Sequence, residues 1–282
     1  MTYTMFKPQE WSARVLETLK DAHVYAALLN RDYEGEIRAA GDSVRIKSVG
    51  RPAVSSYTPY STTITTEQPL GSDQVLVVDQ QKYWSVAIDD IDKRQMDIDM
   101  LNKLTAEGAW AFAEVVDTDL ATILKNGVAT ANQLTAVTNA GTGVTDTEAY
   151  KILVDLRTRS NKANMPKEGR WVVVPPEFEA LLLQDPRFVS FGTGDNKSAL
   201  VNGAIGRAAG FDIHVSNNVP LSATTYSIVG GTKAAATYVE QINKMEPFRP
   251  HDAFEDAVKA LLVYGRKVIM PNGLVGVSVD FS

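Results

Sequence analysis

The chain has 282 residues, 28 Lys and Arg against 34 Asp and Glu, a formal net charge of -6, and no cysteine. A mildly acidic balance argues against wholesale binding to nucleic-acid phosphates, and the missing thiols exclude disulfide frameworks, thiolate metal sites and cysteine nucleophiles. With 44% hydrophobic residues, the chain can bury a real core in one large domain or two modest ones.

The first residues, Met1 to Pro8, lack the basic flank and apolar run of a secretion signal, and no stretch approaches the roughly 18 consecutive apolar residues of a membrane span. Synthesis in the cytosol without membrane insertion is the expectation. Trp11, Val15, Leu19, Val24, Ala27 and Leu28 fall near helical spacing and end at the charged stop Asn30-Arg31-Asp32-Tyr33-Glu34, which fits either a first helix or a docking arm. Val44 and Ile46 then alternate with Arg45 and Lys47, the period-two pattern of a strand with one wet face. Its return partner is read at Val75-Leu76-Val77-Val78, continuing through Trp84, Val86 and Ile88. Between the strands lies a long excursion rich in Ser, Thr and Tyr, from Ser55 to Thr66. Loops of that length inside a compact domain are usually functional or mobile.

From Asp92 to Asn126 the pattern predicts one helix about 50 Å long, with an apolar stripe at Ile98, Leu101, Ala109, Phe112, Val116, Leu120 and Ile123. Gly108 weakens it by roughly 1 kcal/mol relative to Ala. Asp89, Asp90 and Asp92 lack the calcium-loop spacing and are read as acids favouring the helix start. The charged face with Glu107 and Glu114 is read as solvated, with pairing to a neighbouring subunit as the alternative. After the glycine-rich turn at Gly141-Thr142-Gly143, Thr145 to Glu148 has the form of a capping box, predicting a helix through Tyr150, Leu153 and Leu156. Trp171 to Val174 reads as a buried strand stopped by Pro175-Pro176, followed by a helix through Leu183. A helix over 199–209 and strands at 211–216 and 226–229 complete an α/β module over 146–240. The segment from Lys259 to Phe281, turning at Pro271-Asn272-Gly273, is expected to rejoin the sheet beneath the long helix, so that the module is an insertion.

Catalytic signatures are missing. His23, His214 and His251 sit in separate segments without metal-ligand spacing, and Gly203, Gly206 and Gly210 match neither the dinucleotide nor the phosphate-loop pattern; they are read as packing points in a helix and its terminator. No Gly-x-Ser-x-Gly elbow occurs. Neither a catalytic residue nor a cofactor or metal site is predicted.

The order of these elements resembles the major capsid proteins of tailed bacteriophages, with the Hong Kong 97-type fold. The resemblance is carried by Asn30 to Gly35 before Gly41-Asp42-Ser43-Val44, and by Asp89 to Gln95 entering the helix. Further on it is carried by Val172 to Pro176 running to Asp185-Pro186-Arg187-Phe188, by Gly210 to Ile213 before Val219-Pro220, and by Leu262 to Val268. It implies an α+β fold with an N-terminal arm (1–40), an extended β-hairpin loop (41–90), a peripheral domain with a spine helix (91–145 and 241–282), and an inserted α/β axial domain (146–240). It also implies a non-enzymatic shell subunit that interlocks in hexamers and pentamers around double-stranded DNA, made in the host cytoplasm and ending in the virion. No long charged helical extension precedes the arm, so a separate scaffolding protein is expected unless processing removed one; a portal and a decoration protein are the other partners the resemblance implies. Some relatives weld their shells between a loop lysine and a neighbour's asparagine. Residues 49–81 contain no lysine, so noncovalent contacts are expected here, although Asn272 occupies a plausible turn. Intersubunit contacts are assigned to Tyr57, Tyr60 and Ile64 near the loop tip, and to Trp11 and Arg31 in the arm. The rivals are an encapsulin-type cargo compartment of the same fold, a soluble α/β enzyme using the Trp171 to Asp212 module, and a tail-tube or surface-layer subunit.

Overall fold

The computed structural model describes residues 24–33, 43–49, 52–64, 66, 68, 71–89, 99–137, 146–185, 206–251 and 254–281. In chain order they form a short helix α1 (Tyr25–Leu28), strands β1 (Ser43–Val49), β2 (Gly71–Val77) and β3 (Gln80–Asp89), and the long helix α2 (Asp99–Gly127). Helix α3 (Asp146–Lys162), strand β4 (Arg170–Val174) and helix α4 (Pro176–Gln184) follow. Then come strands β5 (Arg207–Ala208), β6 (Phe211–Val215), β7 (Leu221–Ser222), β8 (Thr225–Thr232), β9 (Ala236–Phe248), β10 (Glu255–Val268) and β11 (Leu274–Asp280).

Helix α2 holds 29 described residues, a rod about 43 Å long; its predicted start at Asp92 lies outside the described residues. The buried stripe is Ala109, Phe112, Ala113, Val116, Leu120, Ala121 and Leu124. Ile123, assigned to the stripe from sequence, is only half-buried, because the 3.6-residue period carries the stripe on to Leu124. Gly108 is where the helix touches the sheet: a Cβ there would lie 2.7 Å from the indole of Trp84 on β3. Gly108→Ala should therefore lower stability by about 1–3 kcal/mol from overpacking, outweighing the roughly 1 kcal/mol of helix propensity it gains. Thermal or denaturant unfolding of the variant checks this.

Two sheets pack on this rod, and a third lies on the far side of one of them. β1 and β2 pair antiparallel, Val44 opposite Leu76. β3, β10 and β9 form a second sheet in that order, and β11-β8-β4-β6-β5 a third, with β7 on β8. The expected return strand is thus two strands. β2 stays in the hairpin, the chain breaks at Val78-Asp79, and β3 leaves to pair with β10, Trp84 opposite Ala260. The C-terminal expectation divides in the same way. β10 lies beneath α2 as predicted, but β11 pairs with β8, Val277 opposite Ile228, and so belongs to the sheet of the α/β module.

That module follows the sequence closely at its start. Val172, Val173 and Val174 are fully buried, and Pro175 and Pro176 end β4 and open α4 at its first position, where a missing N–H costs nothing. The helix predicted to run to Ala209 does not: Arg207–Ala208 is a strand paired with β6, and 199–205 lie outside the described residues. Ala209 and Gly210, with φ of 49° and 83°, form the two-residue turn whose left-handed backbone suits a twisted hairpin. Gly210 is thus a turn residue rather than a helix terminator.

One core cluster joins the sheets to the rod: Phe112, Val116, Leu120 and Leu124 of α2 pack with Tyr238, Leu262 and Tyr264 of one sheet and with Trp171, Val229 and Leu274 of the other. A second lies within the module around Leu153, Leu156, Phe178 and Phe211. A third seats the hairpin: Val44, Ile46, Leu76 and Val78 cover Val239 and Val263. Beyond α2, the buried Asn132 amide donates to the Leu274 carbonyl (3.1 Å). Bridges Gln133↔Gly276 and Val137↔Val279 run along the edge of β11.

Candidate intersubunit surfaces

The hairpin combines an anchored base with a bare tip. At the base the predicted alternation is realised, with Val44 and Ile46 buried and Arg45 and Lys47 exposed. At the tip, Val54, Tyr57, Tyr60 and Ile64 have relative exposures of 95%, 64%, 109% and 78%. The tip is also shaped. The Thr58 carbonyl accepts from the amides of Ser61 (3.3 Å) and Thr62 (3.1 Å), and the Thr58 amide donates to the Thr62 hydroxyl (2.8 Å). Tyr60, at φ 64°, stands in the left-handed region inside this turn. A bulky residue rarely adopts that region, and strain of this kind gathers at functional positions.

A second bare surface lies on the three-stranded sheet. Cross-strand partners share a face, so Tyr83, Leu261, Lys259 and Phe248 lie on the same side as Val263, which the hairpin base covers. Leu261 packs at the margin of that covering, which stops short of the other three. Tyr83 is 79% exposed, and the Lys259 ammonium sits 5.3 Å from the centroid of the Phe248 ring. Tyr83 was not singled out from sequence; its signal is the pair Tyr83-Trp84, one aromatic for each face of β3. Trp110 on α2 and Phe254 beside the β9–β10 turn are also exposed.

Residues 24–30 sit inside the body. Tyr25, Ala26 and Leu29 are buried in the core and Val24 and Leu28 pack against it, whereas Ala27 is exposed. The Asn30 amide donates to the Ala236 carbonyl (3.1 Å) and the Tyr238 amide to the Asn30 carbonyl (3.0 Å). The buried Asp117 carboxylate accepts the Val24 amide at 2.7 Å. Of the sequence-assigned contacts, Arg31 pairs with Glu240 of its own chain at 3.1 Å and lies 5.5 Å from the centroid of Tyr238. That engagement is internal. Tyr57, Tyr60 and Ile64 share the loop, and Trp11 lies outside the described residues.

Next to Arg31, the rings of Tyr238 and Tyr264 meet at a tilt of 49° with centroids 6.1 Å apart. The Tyr264 hydroxyl donates to Asp119 (2.8 Å), as does the Arg266 guanidinium (2.7 Å). Burial raises the pKa of Tyr25, Tyr238 and Tyr264, helped by Asp117, Glu240 and Asp119 respectively. The sign follows from proton counting: above the ordinary tyrosine value of 10.0, the folded chain holds protons that the unfolded chain has released. Stability is therefore intact below pH 10 and falls as pH rises beyond it. Denaturant midpoints across that range, read against tyrosinate absorbance, check this.

Among the described residues no group of three or more His, Asp or Glu could hold a metal ion, and no helix is long and apolar enough to cross a membrane. His214 is half-buried on β6, where burial lowers its pKa against the pull of Asp212. His251 is exposed.

A family model described as "Phage capsid protein" matches residues 71–277, a span that takes in β2, α2 and nearly all of the three sheets. The chain belongs to the phage capsid protein family. This capsid protein is similar in structure to a chain from Mycobacterium phage Che8, with 28% identity, a TM-score of 0.76 and coverage of 98% of this chain and 94% of that one. It is also similar to the capsid structure of Cyanophage P-SCSP1u, at 18% identity and TM-score 0.72, covering 87% and 85%. The mature capsid of bacteriophage PhiM1 matches at 17% identity and TM-score 0.66, covering 90% and 86%. No curated protein sequence matches the chain. The capsid protein thus has the Hong Kong 97-type fold and the role of a major capsid protein of the virion.

Proposed function

We propose that this capsid protein closes an icosahedral shell around double-stranded DNA through noncovalent contacts alone, in interlocking hexamers and pentamers. The observation that carries the reading is the hairpin: its base is packed into the chain's own core, while four apolar side chains at its tip are left in solvent. Aromatic anchors concentrate binding energy with few rotors to freeze. The acceptor we assign is the bare half of the β3-β10-β9 face of a second copy, around Tyr83, Lys259 and Phe248, since the hairpin base already packs on the other half of that face. Each copy then offers one tip and one acceptor, a head-to-tail contact that closes into rings.

On this reading residues 1–40 are the arm, 41–90 the loop, 91–145 with 241–273 the peripheral domain, and 146–240 with β11 the axial domain. Tyr57, Tyr60 and Ile64 are the intersubunit anchors, and the protein has no catalytic role. A separate scaffolding protein, a portal and a decoration protein complete its partners, with assembly in the host cytoplasm. Noncovalent closure is supported by the absence of lysine from 49–81. Electron microscopy of the purified protein, alone and with a scaffold candidate, should show closed particles, and boiling them in detergent should return a single monomer band. A ladder of linked subunits would overturn noncovalent closure, and a stable monomer under every condition would overturn the assembly reading.

A further inference from the structure

The return strand of the hairpin rests on a run of consecutive residues at the end of β10 and just beyond it. At Gly265 the crossing is backbone on backbone: a Cβ there would stand 2.8 Å from the Val77 carbonyl oxygen and 3.1 Å from the Val78 Cα. Lys267 donates to the Val75 carbonyl (2.8 Å), and the Gln74 amide donates to the Ile269 carbonyl (3.1 Å). Arg266 points toward the helix, where Asp119 accepts from it at 2.7 Å. Its guanidinium also lies 3.8 Å from Asp79, the residue at the break between the hairpin and β3.

The two carboxylates are not equivalent. Asp119 is shared with the Tyr264 hydroxyl and its side chain is 26% exposed; Asp79 makes the longer contact and is 61% exposed. A short bond to a sheltered carboxylate persists, whereas a long one in solvent is weak and screened by salt. We propose that Gly265 and Arg266 form the pivot of the hairpin, with the glycine crossing as its bearing, Asp119 as its fixed anchor in the spine helix, and the Asp79 contact as a releasable catch. Releasing the catch loosens the hairpin against the sheet, while its buried base and the helix stay in place.

Backbone hydrogen exchange on the full-length unassembled chain tests this, and it stands apart from whether the loop tip makes the shell contact. Asp79→Asn at low salt should speed exchange in β1 and β2 by about two- to fivefold, the range expected of an exposed ion pair, with residues 112–124 of α2 unchanged. Raising salt should bring the parent protein toward the variant and leave the variant unmoved. Arg266→Lys, which keeps the charge but loses the planar fork, should speed the hairpin as Asp79→Asn does. Hairpin exchange that matches the parent in either variant, that ignores salt in the parent, or that rises together with exchange in α2 would overturn the pivot.

Discussion

Replacing Tyr57, Tyr60 and Ile64 together by serine should give a folded protein that no longer closes into shells. All three side chains stand largely in solvent within the single chain, so their removal takes nothing from its core and the unfolding midpoint should stay where it is. In the assembly each is expected to enter an apolar contact, and a central anchor is worth about 2 kcal/mol or more when truncated. Three anchors would then contribute about 6 kcal/mol per contact, a factor of roughly ten thousand in the equilibrium constant. Hot-spot values do not add strictly, yet a third of that would already raise the threshold concentration roughly thirtyfold. Light scattering against protein concentration, with circular dichroism on the same samples, reads both halves. Unchanged particle formation would remove the loop tip from the list of assembly contacts.

Arg170→Met should cost the subunit about 3 kcal/mol of stability and leave its bare surfaces untouched. Arg170 is only 2% exposed, and its donors go to the Pro166 carbonyl at 2.6 Å, the Met165 carbonyl at 2.8 Å and the Asn161 side-chain oxygen at 2.9 Å. These acceptors belong to the turn that carries the chain from the end of α3 into β4. Methionine keeps much of the bulk and removes every donor. Each stranded buried acceptor costs about 1–3 kcal/mol, and relief from burying a charge offsets part of that sum. Arg170→Lys, with one ammonium in place of a fork, should recover less than half. Chemical denaturation measures both, and a loss below about 1 kcal/mol for methionine would mean that water satisfies the turn.

Local rules carried the sequence reading wherever one chemical signal dominated. The alternation at Val44 to Lys47 placed β1 and its buried face, the two prolines at 175 and 176 placed the end of β4 and the start of α4, and the stripe through Phe112 and Leu120 placed the spine. Where the reading slipped, a longer-range contact had decided. Nothing near Val78-Asp79 says that β2 and β3 enter different sheets; that depends on β10, more than 170 residues on. The Gly210 turn was hidden by a helix-compatible composition that the pairing with β6 overrides. Nothing near Arg31 announces its pairing with Glu240, which the fold brings from more than 200 residues on. The exposure of Tyr57, Tyr60 and Ile64 was legible because aromatic and β-branched residues crowd a loop with nothing nearby to cover them. Tyr83 was not, since its freedom is known only once the hairpin base is seen to stop before it.

Because Phe112, Leu120 and Leu124 sink into both sheets at once, neither sheet can swing without tearing a continuous oily seam. A subunit of this construction behaves like a rigid tile. Whatever curvature a closed container demands must then be absorbed at the seams between tiles and in the ribbon that reaches across them.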